Sequence, residues 1–204
     1  ADLGVGIVAA GSSGAARAAA AIAGAGLLVR YHHSLATREA AGGISWRTTQ
    51  AATRRAWAKH ILATKEYLYA LHAMRNAMML NQLFTSTVVS LFTVTVGFFY
   101  TVLKRQFGWL MLIRCTLISL SLLLSAFNFS QSARQMTHCG FMFPVANMDA
   151  SGGGVPSVTP EQVEKVMVTS ENSQWAGLRW FYFAITSVVW LLAAAIAEPA
   201  GEWG

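Results

Sequence analysis

The chain has 204 residues, 54% hydrophobic and only 12% charged, with a net charge of +6. A soluble domain carries about 25% charged residues, so these charges are too few to cover a soluble globule, and a mean hydropathy of +0.44 points the same way. Disorder, a collagen-like chain and a disulfide scaffold are excluded, and one all-α membrane domain over residues 1–204 is expected.

The N-terminal stretch is rich in Ala and Gly and is interrupted by Arg17. Residues 18–31 are apolar except for Arg30, which is short for a bilayer crossing of about 20 residues. A helix that starts near Gly11 and lets Arg17 snorkel gives a first candidate span over residues 11–31. Gly14, Gly24 and Gly26 add little hydrophobic drive but would permit close helix packing. A flexible Ala/Gly tail is the competing reading. The sequence begins at Ala1 without Met; a cleaved targeting segment or a truncation would each account for it.

Residues 32–80 are polar and amphipathic. Residues 53–81 lack Pro and Gly, and Trp57, Ile61, Leu62, Tyr67, Leu68, Leu71, Met74 and Met78 recur mainly three and four apart. That spacing predicts an amphipathic helix that runs into the next span. Residues 83–103 contain no charge and end at Lys104-Arg105. Their β-branched content suits a strand, but their length without a turn signal selects a membrane helix. Residues 108–129 form a third candidate span, with Arg114 close enough to an end to snorkel.

Residues 140–157 read as a loop, because they hold Pro144, glycines 152–154 and Pro156. Thr159-Pro160-Glu161-Gln162 is a helix start, with Thr159 as cap, Pro160 in the first turn and Gln162 completing a capping box. A short helix over about 159–169 follows from it. Residues 180–197 form the last candidate span, with Trp180, Tyr182 and Trp203 as interfacial residues.

Four spans put the odd connections on one side. They carry Arg30, Arg38, Arg47, Arg54, Arg55, Lys59, Lys65, Arg75, Arg134, Lys165 and Arg179, against Arg17, Lys104 and Arg105 opposite. The basic loops are therefore expected on the cytoplasmic, stromal or matrix side. The same positive-inside bias explains the net charge without nucleic acid, for which no signature is present.

Candidates for chemistry are few. The nine acids all lie outside the three better-defined spans, so no intramembrane carboxylate marks a proton path. No HExxH, CxxC or GxSxG pattern occurs, so neither a catalytic set nor a metal centre is expected, and the chain reads as a non-enzyme. Cys115 reads as a small buried hydrophobe. His72 and His138 fall near predicted interfaces and are candidate pigment or metal ligands, with an ordinary polar contact as the blander reading. Arg75 and Asn76 sit where the amphipathic helix enters the membrane, and Arg134 where the third span leaves it. Together they are candidates to hold a lipid phosphate or another anion, against simple snorkelling.

Several segments share an order with one family. They are Tyr31-His32, the stretch from Ala73 to Met78, Ala133-Arg134-Gln135 with Cys139, Gly177-Leu178-Arg179, the stretch from Phe181 to Ala184, and Trp190. In these the chain resembles domain-of-unknown-function family 599, small polytopic membrane proteins of plants and bacteria, over residues 31–192. The resemblance implies four spans and no assigned activity. The Ala/Gly-rich first segment and the glycines at 152–154 depart from the pattern.

The expectation is an accessory or structural subunit of a larger energy-transducing complex, a photosystem ahead of a respiratory assembly. Its partners would be membrane lipids and other subunits, and its bound groups lipid, chlorophyll or carotenoid. Its location would be an organellar membrane, thylakoid or mitochondrial inner. A small oligomeric transporter, channel or lipid-binding protein is the alternative. There the Ser/Thr faces of the two middle spans would line a path.

Overall fold

The computed structural model describes residues 26, 30, 31, 33, 34, 37, 38, 41, 42, 45–104, 109–146 and 158–197. The expected span at 11–31 lies almost wholly outside them. Residues 1–50 and 51–204 form separate compact units, and the packing described below is that of the second.

Four helices are described, with no strand among the described residues: α1 (Trp46–Thr64), α2 (Tyr67–Lys104), α3 (Trp109–Val145) and α4 (Pro160–Ala197). Two stretches, Tyr67–Thr101 and Met111–Val145, are long and apolar enough to cross a membrane. Each of α2, α3 and α4 has 37 or 38 residues. At 1.5 Å per residue that is about 57 Å, nearly twice a hydrocarbon core of about 30 Å.

Local sequence sets the helix ends. At the start of α4 the capping box closes as the residue types demand. The Gln162 amide donates to Thr159 Oγ1 at 3.3 Å, and the Thr159 amide donates to Gln162 Oε1 at 3.1 Å. Ser45 and Thr48 make a similar reciprocal pair before α1, at 3.1 and 2.8 Å. α1 stops at Lys65, which takes a left-handed φ of 60° while its amide donates to the Ile61 carbonyl. That conformation usually falls to Gly or Asn.

Three sequence expectations are corrected here. The amphipathic helix expected over 53–81 is two pieces, broken at Lys65-Glu66, with the second continuous with the apolar run. The loop expected from residue 140 begins later, because α3 runs to Val145. Met142 and Phe143 are buried there, which offsets the helix-breaking tendency of Gly140 and Pro144. The helix expected to end near 169 continues unbroken to Ala197.

α3 is the central helix, packed against α2 on one side and α4 on the other. Its buried positions 115, 118, 122, 125, 129, 132, 136, 139 and 143 step by three and four. This is the seven-residue repeat of a left-handed coiled coil. Antiparallel α4 answers with buried 163, 170, 177, 184 and 191, each seven apart. Matching levels are tied directly. Ser125 Oγ donates to the Gly177 carbonyl at 2.8 Å, Ser132 Oγ lies 3.0 Å from Ser170 Oγ, and Cys139 Sγ lies 3.9 Å from the Val163 carbonyl.

Two apolar cores form along this rod. One joins Ala58, Ile61 and Leu62 of α1 to Ala70, Met74, Met136, Phe143, Val163 and Met167. The other joins Val88, Ile118, Leu122, Phe129, Ala184 and Leu191. Around the second core the outer faces are apolar too: Leu83, Val94, Tyr100, Leu123 and Phe127 are all more than half exposed. Exposed apolar patches of this extent mark membrane or protein contact surfaces.

Candidate functional site

Between the two cores lies a buried polar belt, one residue from each long helix. Asn81 of α2 is fully buried, as are Ser132 of α3 and Ser170 of α4. Asn81 Nδ2 donates to Ser132 Oγ at 3.0 Å. Ser170 Oγ donates to the Ser132 carbonyl at 2.8 Å. The single Ser170 proton is thereby used, so the Ser132 hydroxyl donates to Ser170 Oγ across 3.0 Å. The chain of donors runs from Asn81 through Ser132 to Ser170 and back to the α3 backbone. Among the described residues no donor reaches Asn81 Oδ1.

Charge gathers beside the belt on the α1 side. Arg54 Nε sits 3.3 Å from Glu171 Oε2, and the Glu171 side chain is almost fully buried. The same oxygen meets no aligned donor among the described residues, so the pair is coulombic rather than a directed hydrogen bond. Lys59 Nζ lies 3.8 Å from Glu164 Oε1 nearer solvent. The two pairs and an edge contact of Trp57 on Phe143, at 6.0 Å between centroids, hold α1 to α3 and α4.

The candidate residues from sequence fall on the same half of the rod. His72, Arg75 and Asn76 are exposed on α2, and Arg134 and His138 are exposed on α3. Contacts of Asn81 with Ser132 and of Phe84 with Phe129 fix the α2–α3 register. By that register Arg75 stands level with positions 138–139. Arg134 stands level with positions 79–80, about 7 Å further along the axis. Arg75 and Arg134 therefore share one half of this unit but not one level. Among the described residues neither makes an ion pair, and no group of three or more His, Cys, Asp or Glu could hold a metal. Arg114, expected to reach an interface, is buried instead, with its guanidinium carbon 4.6 Å from the Trp190 ring centroid.

Sequence reasoning missed the belt. The signal was present as Ser125, Ser132 and Cys139 against Val163, Ser170 and Gly177, two sets of small residues at intervals of seven.

Many Ser and Thr hydroxyls outside the belt have a plainer role. Thr87, Ser90, Thr93, Thr95 and Thr101 each donate to the carbonyl four residues back on α2, at 2.8–3.2 Å. Thr116 and Ser121 do the same on α3. Such bonding lets a hydroxyl face an apolar medium without a partner on another helix.

A family model described as protein of unknown function, DUF599, matches residues 19–197. No curated protein and no solved structure matches the chain.

Proposed function

The chain belongs to DUF599, a family of unknown function, and on its own side chains we propose that it is a non-catalytic integral membrane protein, an accessory subunit of a larger energy-transducing assembly. In this reading the half of the rod around Val88, Ile118 and Leu191 lies in the bilayer. The half around Met74, Met136 and Met167 stands outside it with α1, on the side that carries the exposed basic residues. That side is the stromal, matrix or cytoplasmic one. Arg179 lies nine residues past the belt on α4, about 13 Å. Its side chain leans back toward the α4 N-terminus and so toward the basic side.

One observation carries the reading. α2, α3 and α4 pass without a break from the apolar-sheathed half into the charged half. They form a stiff post whose outer end is a helical bundle, a shape suited to holding a partner at a fixed height above a membrane. The alternative is a small oligomeric transporter, channel or lipid-binding protein, in which the Ser/Thr hydroxyls of α2 and α3 would line a path. Lipid, chlorophyll or carotenoid against the apolar sheath fits the same role, in a thylakoid or mitochondrial inner membrane.

The test is affinity purification from native membranes in mild detergent. Stoichiometric co-purification of other membrane subunits supports the proposal. A partner-free chain that conducts ions after reconstitution in liposomes overturns it.

A further inference from the structure

Arg114 carries a charge that the described structure does not balance. It is only 7% exposed. Its guanidinium stacks over Trp190, and its buried Nε–H meets no acceptor among the described residues. The matched levels of α3 and α4 set Arg114 opposite position 188. From there Glu171, the described carboxylate nearest by register, is about 25 Å away along α4. The indole face offsets part of the cost of the buried cation, but it offers no hydrogen-bond acceptor to the guanidinium fork.

The position favours an external anion. Arg114 is five residues into α3, about 7.5 Å from its start. Its side chain leans toward that start, the end where exposed Lys104 finishes α2. A guanidinium fork presents parallel N–H donors that match two oxygens of one oxyanion. We propose that Arg114 and Trp190 form a seat for one phosphate-type oxyanion. It would be either the phosphodiester of an anionic lipid in the leaflet at the Lys104 end or a free oxyanion in water. The seat lies at the opposite end of the post from Arg75 and Arg134 and does not depend on the subunit role.

The experiment is native mass spectrometry of the full chain, stripped of lipid in detergent. It is then titrated separately with phosphatidylglycerol, phosphatidylcholine and sulfate. The wild type is expected to keep one tightly held phosphatidylglycerol, with phosphatidylcholine at least tenfold weaker. Arg114→Gln is expected to lose that adduct by tenfold or more. A saturable sulfate adduct that competes with phosphatidylglycerol and disappears in Arg114→Gln supports the seat and identifies a free oxyanion as its occupant. Equal phosphatidylglycerol adducts in wild type and Arg114→Gln, or no preferred adduct in the wild type, overturn the proposal. Should Arg114→Gln not fold, Trp190→Leu decides. Unchanged retention there overturns the seat, and a loss of several-fold supports it.

Discussion

The ring of Phe129 lies flat against Gly177. A Cβ built at position 177 would stand 3.0 Å from two ring atoms of Phe129 and 3.1 Å from a third. The ring has little room to yield, because its other neighbour is Phe84, stacked at 5.0 Å with 15° between planes. The backbone of α4 therefore approaches α3 as closely as it does because residue 177 has no side chain, as small residues permit in membrane helix pairs.

Gly177→Ala is thus expected to destabilise the fold by about 1–3 kcal/mol through overpacking. Thermal unfolding in detergent, followed by circular dichroism, measures it. Adding Phe129→Leu should recover part of the loss, so the two changes together cost less than their sum. Additive costs would mean that the two residues do not press on each other.

Ser132→Ala removes the middle of the donor chain. The amide of Asn81 and the oxygen of Ser170 then lose a buried partner at once. A cost of about 1–3 kcal/mol is expected, against a few tenths for exposed Ser130→Ala. Unfolding midpoints of the two variants give the comparison. Equal midpoints would remove the belt from the account of stability.

Arg54→Ala leaves the Glu171 carboxylate buried and unpaired, while the Arg54 side chain itself is 36% exposed. The water already around Arg54 reduces the effect, so about 1–2 kcal/mol is expected rather than the larger figure for a fully buried pair. Lys59→Ala, at a pair whose cation is 69% exposed, should cost under about 0.5 kcal/mol. A larger loss for Lys59 than for Arg54 would reverse this ranking.

Cys115 and Cys139 are both free and fully buried. Neither thiol is expected to react with a maleimide in the folded protein, and both should react after denaturation in dodecyl sulfate. Mass spectrometry counts the adducts. Rapid labelling of Cys139 in the native state would mean that α3 and α4 separate at the level of Val163.

Parts of this structure were legible in the sequence because their signals are local. The uncharged run of residues 83–103 announced a long helix, and Thr159 with Gln162 announced the start of α4. The extension of α3 to Val145 was not legible, because Gly140 and Pro144 look like loop residues until their surroundings are known. A Cβ at Gly140 would meet Leu71 and Met74 at 3.6 and 3.7 Å, so that glycine sits in a helix–helix contact. The break at Lys65 carried no Gly or Pro to mark it. The seven-residue repeat of α3 was masked by its outer face, since Leu117, Leu120, Leu123 and Phe127 are exposed and as apolar as the core. Where the outer face is as apolar as the core, the contrast that makes a helix face readable is lost. The candidate site fared likewise. Arg75, Asn76, Arg134, His72 and His138 stood out as types, whereas the belt of Asn81, Ser132 and Ser170 became visible only once three helices were placed side by side.

The subunit reading turns on the size of the native particle. Native membranes extracted in digitonin and run on a native gel, with the chain detected by antibody, measure it directly. The account predicts migration with an assembly several times heavier than the 22.0 kDa chain, together with the same co-migrating subunits in every preparation. A band at the size of the chain alone, or of a small homo-oligomer with no other subunit, would contradict it.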